Sequence, residues 1–139
     1  MRLHIRILFV LLILIPVSGH AQNKEVVRKN KVESQTVYEY FIEEGISEPI
    51  VEKIEKYDAQ GNLVEVKEFN KEGDIKDWKL YKYDASGNNT EETQMDMRGN
   101  QEERTVWVYK NGLVVEKKYY DHKDRLVKRK EYKYTYFEE

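Results

Sequence analysis

The sequence predicts an all-β protein, an antiparallel β-meander of repeated hairpins that is largely single-layer and twisted. Three observations carry that expectation. Asp58-Ala59-Gln60-Gly61, Asn70-Lys71-Glu72-Gly73, Asp84-Ala85-Ser86-Gly87 and Asp96-Met97-Arg98-Gly99 share one turn pattern, Asp/Asn-x-x-Gly, with first residues 12, 14 and 12 positions apart. A short and a long step make a unit of 26 residues, and Tyr57, Tyr83 and Tyr109 keep the same beat. A fixed period of about 20–50 residues marks a repeat architecture, in which one unit cannot bury its own apolar face. Between the turns lie β-branched and aromatic residues with no sustained i, i+3, i+4 apolar spacing, so no helix is expected in the mature domain.

Residues 1–21 read as a secretory signal peptide. Arg2 and Arg6 supply its positive start, residues 7–15 its apolar run, and Gly19-His20-Ala21 its small-x-small cleavage site. That run is shorter than the ~18–20 residues a membrane span needs, so no span is expected after cleavage. An exported chain, periplasmic or extracellular, follows from this reading. With no cysteine anywhere, its sheet must hold without disulfides. Residues 22–33 are polar and free of turn signals, a flexible lead-in.

Residues 34–139 form the β-hairpin repeat domain. Its strand segments are expected at 35–42 and, after a loop through Gly45 and Pro49, at 50–57. Then follow 62–69, 74–83, 88–95, 100–109, 113–120 and 125–137, the later ones divided by a shortened Lys110-Asn111-Gly112 and by Asp121-His122-Lys123-Asp124. Strand runs bounded by turn residues at this spacing are hairpin grammar.

Turn chemistry suggests a register. A three-residue hairpin loop ends in a left-handed residue, usually Gly, because a Cβ is costly at positive φ. With Lys71-Glu72-Gly73 as such a loop, Asn70 faces Asp74 and Phe69 faces Ile75. Continued without a break, the ladder pairs Glu68 with Lys76, Lys67 with Asp77, Val66 with Trp78, Glu65 with Lys79 and Val64 with Leu80. Opposite charges and apolar side chains thus meet their own kind of partner, at roughly 0.2–1 kcal/mol per pair. The same rule sets Glu92 opposite Arg104 and Glu116 opposite Lys130, but it also puts Glu55 against Glu65 and Lys53 against Lys67.

Two faces follow from these pairings. One gathers Ile54, Val64, Val66, Trp78, Leu80, Val106, Val108, Val115 and Val127 with Glu92, Arg104 and Lys117. The other carries an aromatic band, Tyr57, Tyr81, Tyr83, Trp107, Tyr109, Tyr132 and Tyr134, around a charged middle of Glu65, Lys67, Asp77 and Lys79. Neither face is cleanly apolar, which points to solvent on much of both sides.

At KYDAQGNLVEV and YKYDASGN the chain resembles the YD repeats of RHS-type proteins, whose units read Y-D-x-x-G-R/N-L. A third unit, VYKNGLVVE, keeps Tyr109 and Gly112, and the resemblance spans roughly residues 50–137. The hairpin rhythm is also similar to MORN-type repeats, without their Gly-x-Trp spacing. Membership would imply secreted or surface-associated strand-turn-strand arrays, with the scaffold carried over and no catalytic residue.

Function classes narrow accordingly. Loss of Arg2 and Arg6 with the leader takes the formal charge from −2 to −4, and acids and bases are interspersed, which argues against nucleic acid. His122 is the one histidine after the leader, so neither a metal site nor a catalytic triad is expected, and no cofactor. Close carboxylates such as Glu91 and Glu103, or Asp77 and Glu65, suit a charged sheet face better than a glycosidase pair. The Asp turns lack the ligand spacing of a calcium loop. The aromatic band remains. Tyr81, Tyr83, Trp107, Tyr109, Tyr132 and Tyr134 are the candidate ligand-binding residues, suited to a glycan or an envelope protein. The rival expectation is a periplasmic or envelope structural subunit that assembles through its edge strands.

Overall fold

Asx chemistry at the turns builds the hairpins. The computed structural model describes residues 23–42 and 48–137; the leader and the loop through Gly45 lie outside the described residues. Asp58, Asp84 and Asp96 each accept hydrogen bonds on one carboxylate oxygen from the N–H groups two and four residues on, at 2.8–2.9 Å. The other oxygen accepts from the side-chain amide of Asn62, Asn88 or Asn100. The working motif is therefore Asp-x-x-Gly-Asn, with Asn70 and Asp74 exchanging places in one turn and Arg125 replacing the Asn in the last. Gly61, Gly73, Gly87 and Gly99 have φ between 78° and 86°, as the loops require, and Asp124 takes that place at 59°. The shortened turn has two residues at positive φ, Asn111 and Gly112, which is a two-residue hairpin.

These turns join β1 (Ser34–Glu39), β2 (Ile50–Tyr57), β3 (Leu63–Phe69), β4 (Ile75–Tyr83), β5 (Asn89–Met95), β6 (Gln101–Lys110), β7 (Leu113–Tyr120) and β8 (Leu126–Glu131). They form one antiparallel sheet in the order β1-β2-β3-β4-β5-β6-β7-β8, open at both edges. The all-β meander expected from the turn rhythm is the fold.

One helix corrects the expectation of none. α1 (Lys24–Lys29) starts where the Asn23 side chain accepts from the Glu25 N–H at 2.9 Å, with Arg28 and Lys29 in its last turn. Six residues cannot hold a helix alone in water. Val27, 2% exposed, anchors it, and a Cβ on Gly61 would lie only 2.4 Å from the Lys24 carbonyl oxygen. A segment this short has no period to read, and its partner is a turn rather than a strand.

The register also departs from expectation, by one residue. Phe69 faces Ile75 as predicted, but then Glu68 faces Asp77, Lys67 faces Trp78, Val66 faces Lys79 and Glu65 faces Leu80. Lys76 is the extra residue. The same bulge recurs at the second or third residue of every returning strand, at Val64, Thr90, Glu102, Val115 and Val127, and at Glu52 in β2. Arg104 consequently faces Thr93, Glu92 faces Thr105, and Glu116 faces Glu131. The predicted like-charge clash disappears: Lys56 now opposes Glu65, with 2.6 Å between Nζ and the carboxylate. Bulges raise the local right-handed twist, here once per hairpin.

Alternation along these registers separates two faces. One carries Ile54, Lys56, Glu65, Lys67, Trp78, Leu80, Glu91, Arg104, Val106, Glu116 and Lys118, laced by Lys67–Glu65, Lys82–Glu91 and Arg104–Glu91 ion pairs. The second carries Glu55, Tyr57, Val66, Lys79, Tyr81, Glu92, Trp107, Tyr109 and Lys117. So Val66, Glu92 and Lys117 lie with the aromatic band, and Glu65 and Lys67 lie away from it, the reverse of the predicted map. Buried apolar side chains among the described residues are Val27, Tyr57 and Val66. Ladders and ion pairs, rather than a thick core, hold this sheet.

Candidate binding face

Tyr81 and Tyr83 project from the end of β4, half-buried beside the first turns. Burial, then Glu92 and Asp77, pushes the Tyr81 phenol up to about 12. The Tyr83 hydroxyl donates to the Leu63 carbonyl at 2.9 Å, and burial followed by the Asp58 charge raises its pKa. An open groove of about 710 Å³ runs past both rings, with Lys24, Asp58, Asn62 and Gly87 on its rim. No cysteine, histidine or metal-ligand cluster lies there, and among the described residues no group of three or more His, Asp or Glu side chains could hold a metal.

The tyrosine beat proves to be a tether. Tyr109 donates to the Asn89 carbonyl at 2.9 Å and Tyr134 to that of Val114 at 2.6 Å, each twenty residues back, as in Tyr83. The step from Tyr109 to Tyr134 is one residue short because the Lys110-Asn111-Gly112 turn is one residue short. Tyr57 departs from the pattern: its hydroxyl donates to the buried Glu55 carboxylate at 2.7 Å. Three candidate residues therefore have structural work for their hydroxyls while their rings stay on the face.

Trp107 sits in the middle of β6, half-buried, opposite Lys117, whose ammonium lies 4.8 Å from the ring centroid. Tyr132 and Tyr134 are 38% and 40% exposed after β8, and the Tyr132 N–H reaches the Val115 carbonyl. The structure thus places Tyr81, Tyr83, Trp107 and Tyr109 on one sheet face across β4–β6, with Tyr132 and Tyr134 continuing beyond β8. β1 does not cover this band: it pairs with β2 at the sheet edge, where Tyr38 is 56% exposed.

No protein-family model matches this chain, and no curated protein or solved structure matches it. The site must be read from its own geometry.

That geometry adds a residue the sequence reading passed over. Tyr119 is flanked by Lys117, Lys128 and Lys130, with ammonium groups 5.0, 4.1 and 5.9 Å from its ring centroid. The Val127 bulge is the reason, because it sets Lys128 opposite Tyr119 where an unbroken ladder sets Val127 there. Desolvation is the largest single influence and opposes it, but a hydrogen bond from Lys117 and the charges of Lys117, Lys130 and Lys128 together leave the Tyr119 phenol below its ordinary range. The alternation Lys117-x-Tyr119 and Lys128-x-Lys130 was the signal available in the sequence. On the opposite face, Arg104 grips Asp124 through Nε and Nη2 at 3.0 and 2.6 Å and stacks over Tyr120 at 4.1 Å.

Proposed function

We propose that this chain is an exported, non-enzymatic β-repeat protein that presents its extended sheet to a glycan or protein partner. One observation carries the reading: aromatic rings on β4 and β6 share one face of the sheet, over which the described strands form no second sheet, and tyrosines beyond β8 extend the row. Apolar patches of several hundred Å² on such a surface usually mark an interaction site. Export rests on the leader-like residues 1–21. Kinship to YD repeats is supported by the Tyr-Asp-x-x-Gly-Asn unit and the tyrosine tether, and it would bring a scaffold only. No helix among the described residues is long and apolar enough to cross a membrane.

Replacing Trp107 and Tyr81 by alanine is expected to weaken partner capture from envelope extract by ~10-fold or more, taking hot-spot losses of about 2 kcal/mol as the guide. Trp107 fluorescence fully shielded from an aqueous quencher in the isolated monomer would instead make the band a folding element. A structural subunit assembling through its edges is the second reading. It is favoured by β8, exposed along its whole length, with Leu126 and Val127 51% and 63% exposed. Size-exclusion with light scattering separates the two, since edge pairing requires a concentration-dependent oligomer.

A further inference from the structure

Basic side chains on β7 and β8 divide sharply by face. Lys118 and Arg129 share the Glu116 carboxylate, at 2.9 and 3.0 Å, on the face that also holds Arg104. On the aromatic face Lys117, Lys128 and Lys130 converge on Tyr119, and among the described residues none of them lies within salt-bridge distance of a carboxylate. Like charges gathered this closely repel one another, and a π face offsets only part of that. Glu92 and Glu103, the nearest acids on this face by register, sit on β5 and β6. Lys117 also bridges Tyr119 to Trp107. The result is an aromatic and cationic strip across β6–β8.

We propose that this strip binds an acidic polysaccharide, with Lys117, Lys128 and Lys130 taking its anionic groups and Trp107 and Tyr119 its sugar rings. The assignment rests on the binding reading above and adds the ligand class and its place. Charge complementarity demands an anion. The open face of the sheet favours a sugar over a peptide, because backbone hydrogen-bonding groups lie in the plane of the sheet. A peptide strand would find partners at the β8 edge, not above Tyr119. A sugar needs no such partners: its ring faces stack on aromatic side chains while its carboxylates or sulfates meet the ammonium groups.

The test is gel retardation of residues 22–139 by polygalacturonate, by its fully methyl-esterified neutral form and by poly-L-glutamate. Polygalacturonate should retard the protein at least ~10-fold more strongly than either other polymer, and added salt should weaken the effect. Lys117→Gln/Lys128→Gln/Lys130→Gln should lose that retardation by ~10-fold or more. Lys76→Gln/Lys110→Gln/Lys123→Gln removes as much charge elsewhere and should leave it unchanged. Lys128→Glu alone, at an exposed position, carries the same expectation if the triple variant unfolds. Equal losses in both triple variants would mean unspecific ion exchange and overturn the proposal. Retardation by the neutral ester that depends on Trp107 but not on the lysines overturns the acidic ligand while sparing the glycan reading. Stronger retardation by poly-L-glutamate overturns it in favour of an acidic polypeptide. No retardation by any of the polymers overturns it outright, and capture of an envelope protein then tests the broader reading separately.

Discussion

At the scale of the residue, the turn glycines look equivalent in sequence and are not equivalent in space. Gly61 and Gly73 both have positive φ, 78° and 86°. A Cβ at Gly73 would meet nothing within 4 Å, whereas at Gly61 it would strike the Lys24 carbonyl at 2.4 Å and the Arg28 N at 3.0 Å. Gly73→Val should therefore cost only the left-handed backbone penalty, ~1–2 kcal/mol. Gly61→Val should add overpacking of ~1–3 kcal/mol or shed α1 from the sheet. Thermal melts of the two variants check this, and equal losses would count against the docking of α1 on the first turn. The asparagine four residues after Asp58, Asp84 and Asp96 matters in the same way. Asn88 and Asn100 hold the Asp84 and Asp96 carboxyls below the ordinary range, first through their side-chain amides and then through their backbone N–H groups.

At the scale of the element, the bulge decides which side chains meet. Without it Trp78 would face Val66; with it Trp78 faces Lys67, whose ammonium lies 3.8 Å from the ring centroid. A paired Val66→Cys/Lys79→Cys variant should cross-link under mild oxidation, since directly opposed strand residues lie about 4.5–5.5 Å apart at Cα. Val66→Cys/Trp78→Cys should not, because those side chains leave opposite faces. The reverse result would restore the unbroken ladder. Most strand positions were legible in advance, β2 and β7 to the residue, because turn residues and β-branched runs are local signals; β8 is the exception, ending at Glu131 rather than running on to residue 137. The bulge was not. It inserts one residue after the turn without altering the turn's own residues, so the turn alone gives no hint of it.

For the whole molecule, a sheet with so little core depends on its turns and tyrosines, and pH should show it. Asp84, Asp96 and Asp121 are held below the ordinary carboxylate range, first by the side chains of Asn88, Asn100 and Arg125 respectively. Their contribution is present in full above the unfolded value of about 4 and is lost as pH falls through the lowered folded values. Tyr57 and Tyr81 are raised, in the first place by burial, Tyr81 to about 12. An unfolded phenol ionises first, so that contribution holds below about pH 10 and is lost as pH rises beyond it. Thermal midpoints should form a plateau between about pH 5 and 9, falling below about pH 4 and above about pH 10. A midpoint unchanged down to pH 2 would remove the turn carboxylates from this account.

The sequence by itself determined the class of fold, the strand order and the left-handed glycines. Each follows from contacts within a hairpin, a dozen residues or so apart, where Asp, Gly and β-branched residues act locally. It also marked the 26-residue beat of Tyr57, Tyr83 and Tyr109, though not the tether that two of them make to the neighbouring strand. Tertiary structure alone decided the rest. Val27 is buried because α1 meets a turn more than thirty residues later, a contact no local period encodes. Lys117, Lys128 and Lys130 ring Tyr119 because a bulge at Val127 shifts β8 by one residue, and in a two-residue alternation a single step exchanges one face of the sheet for the other.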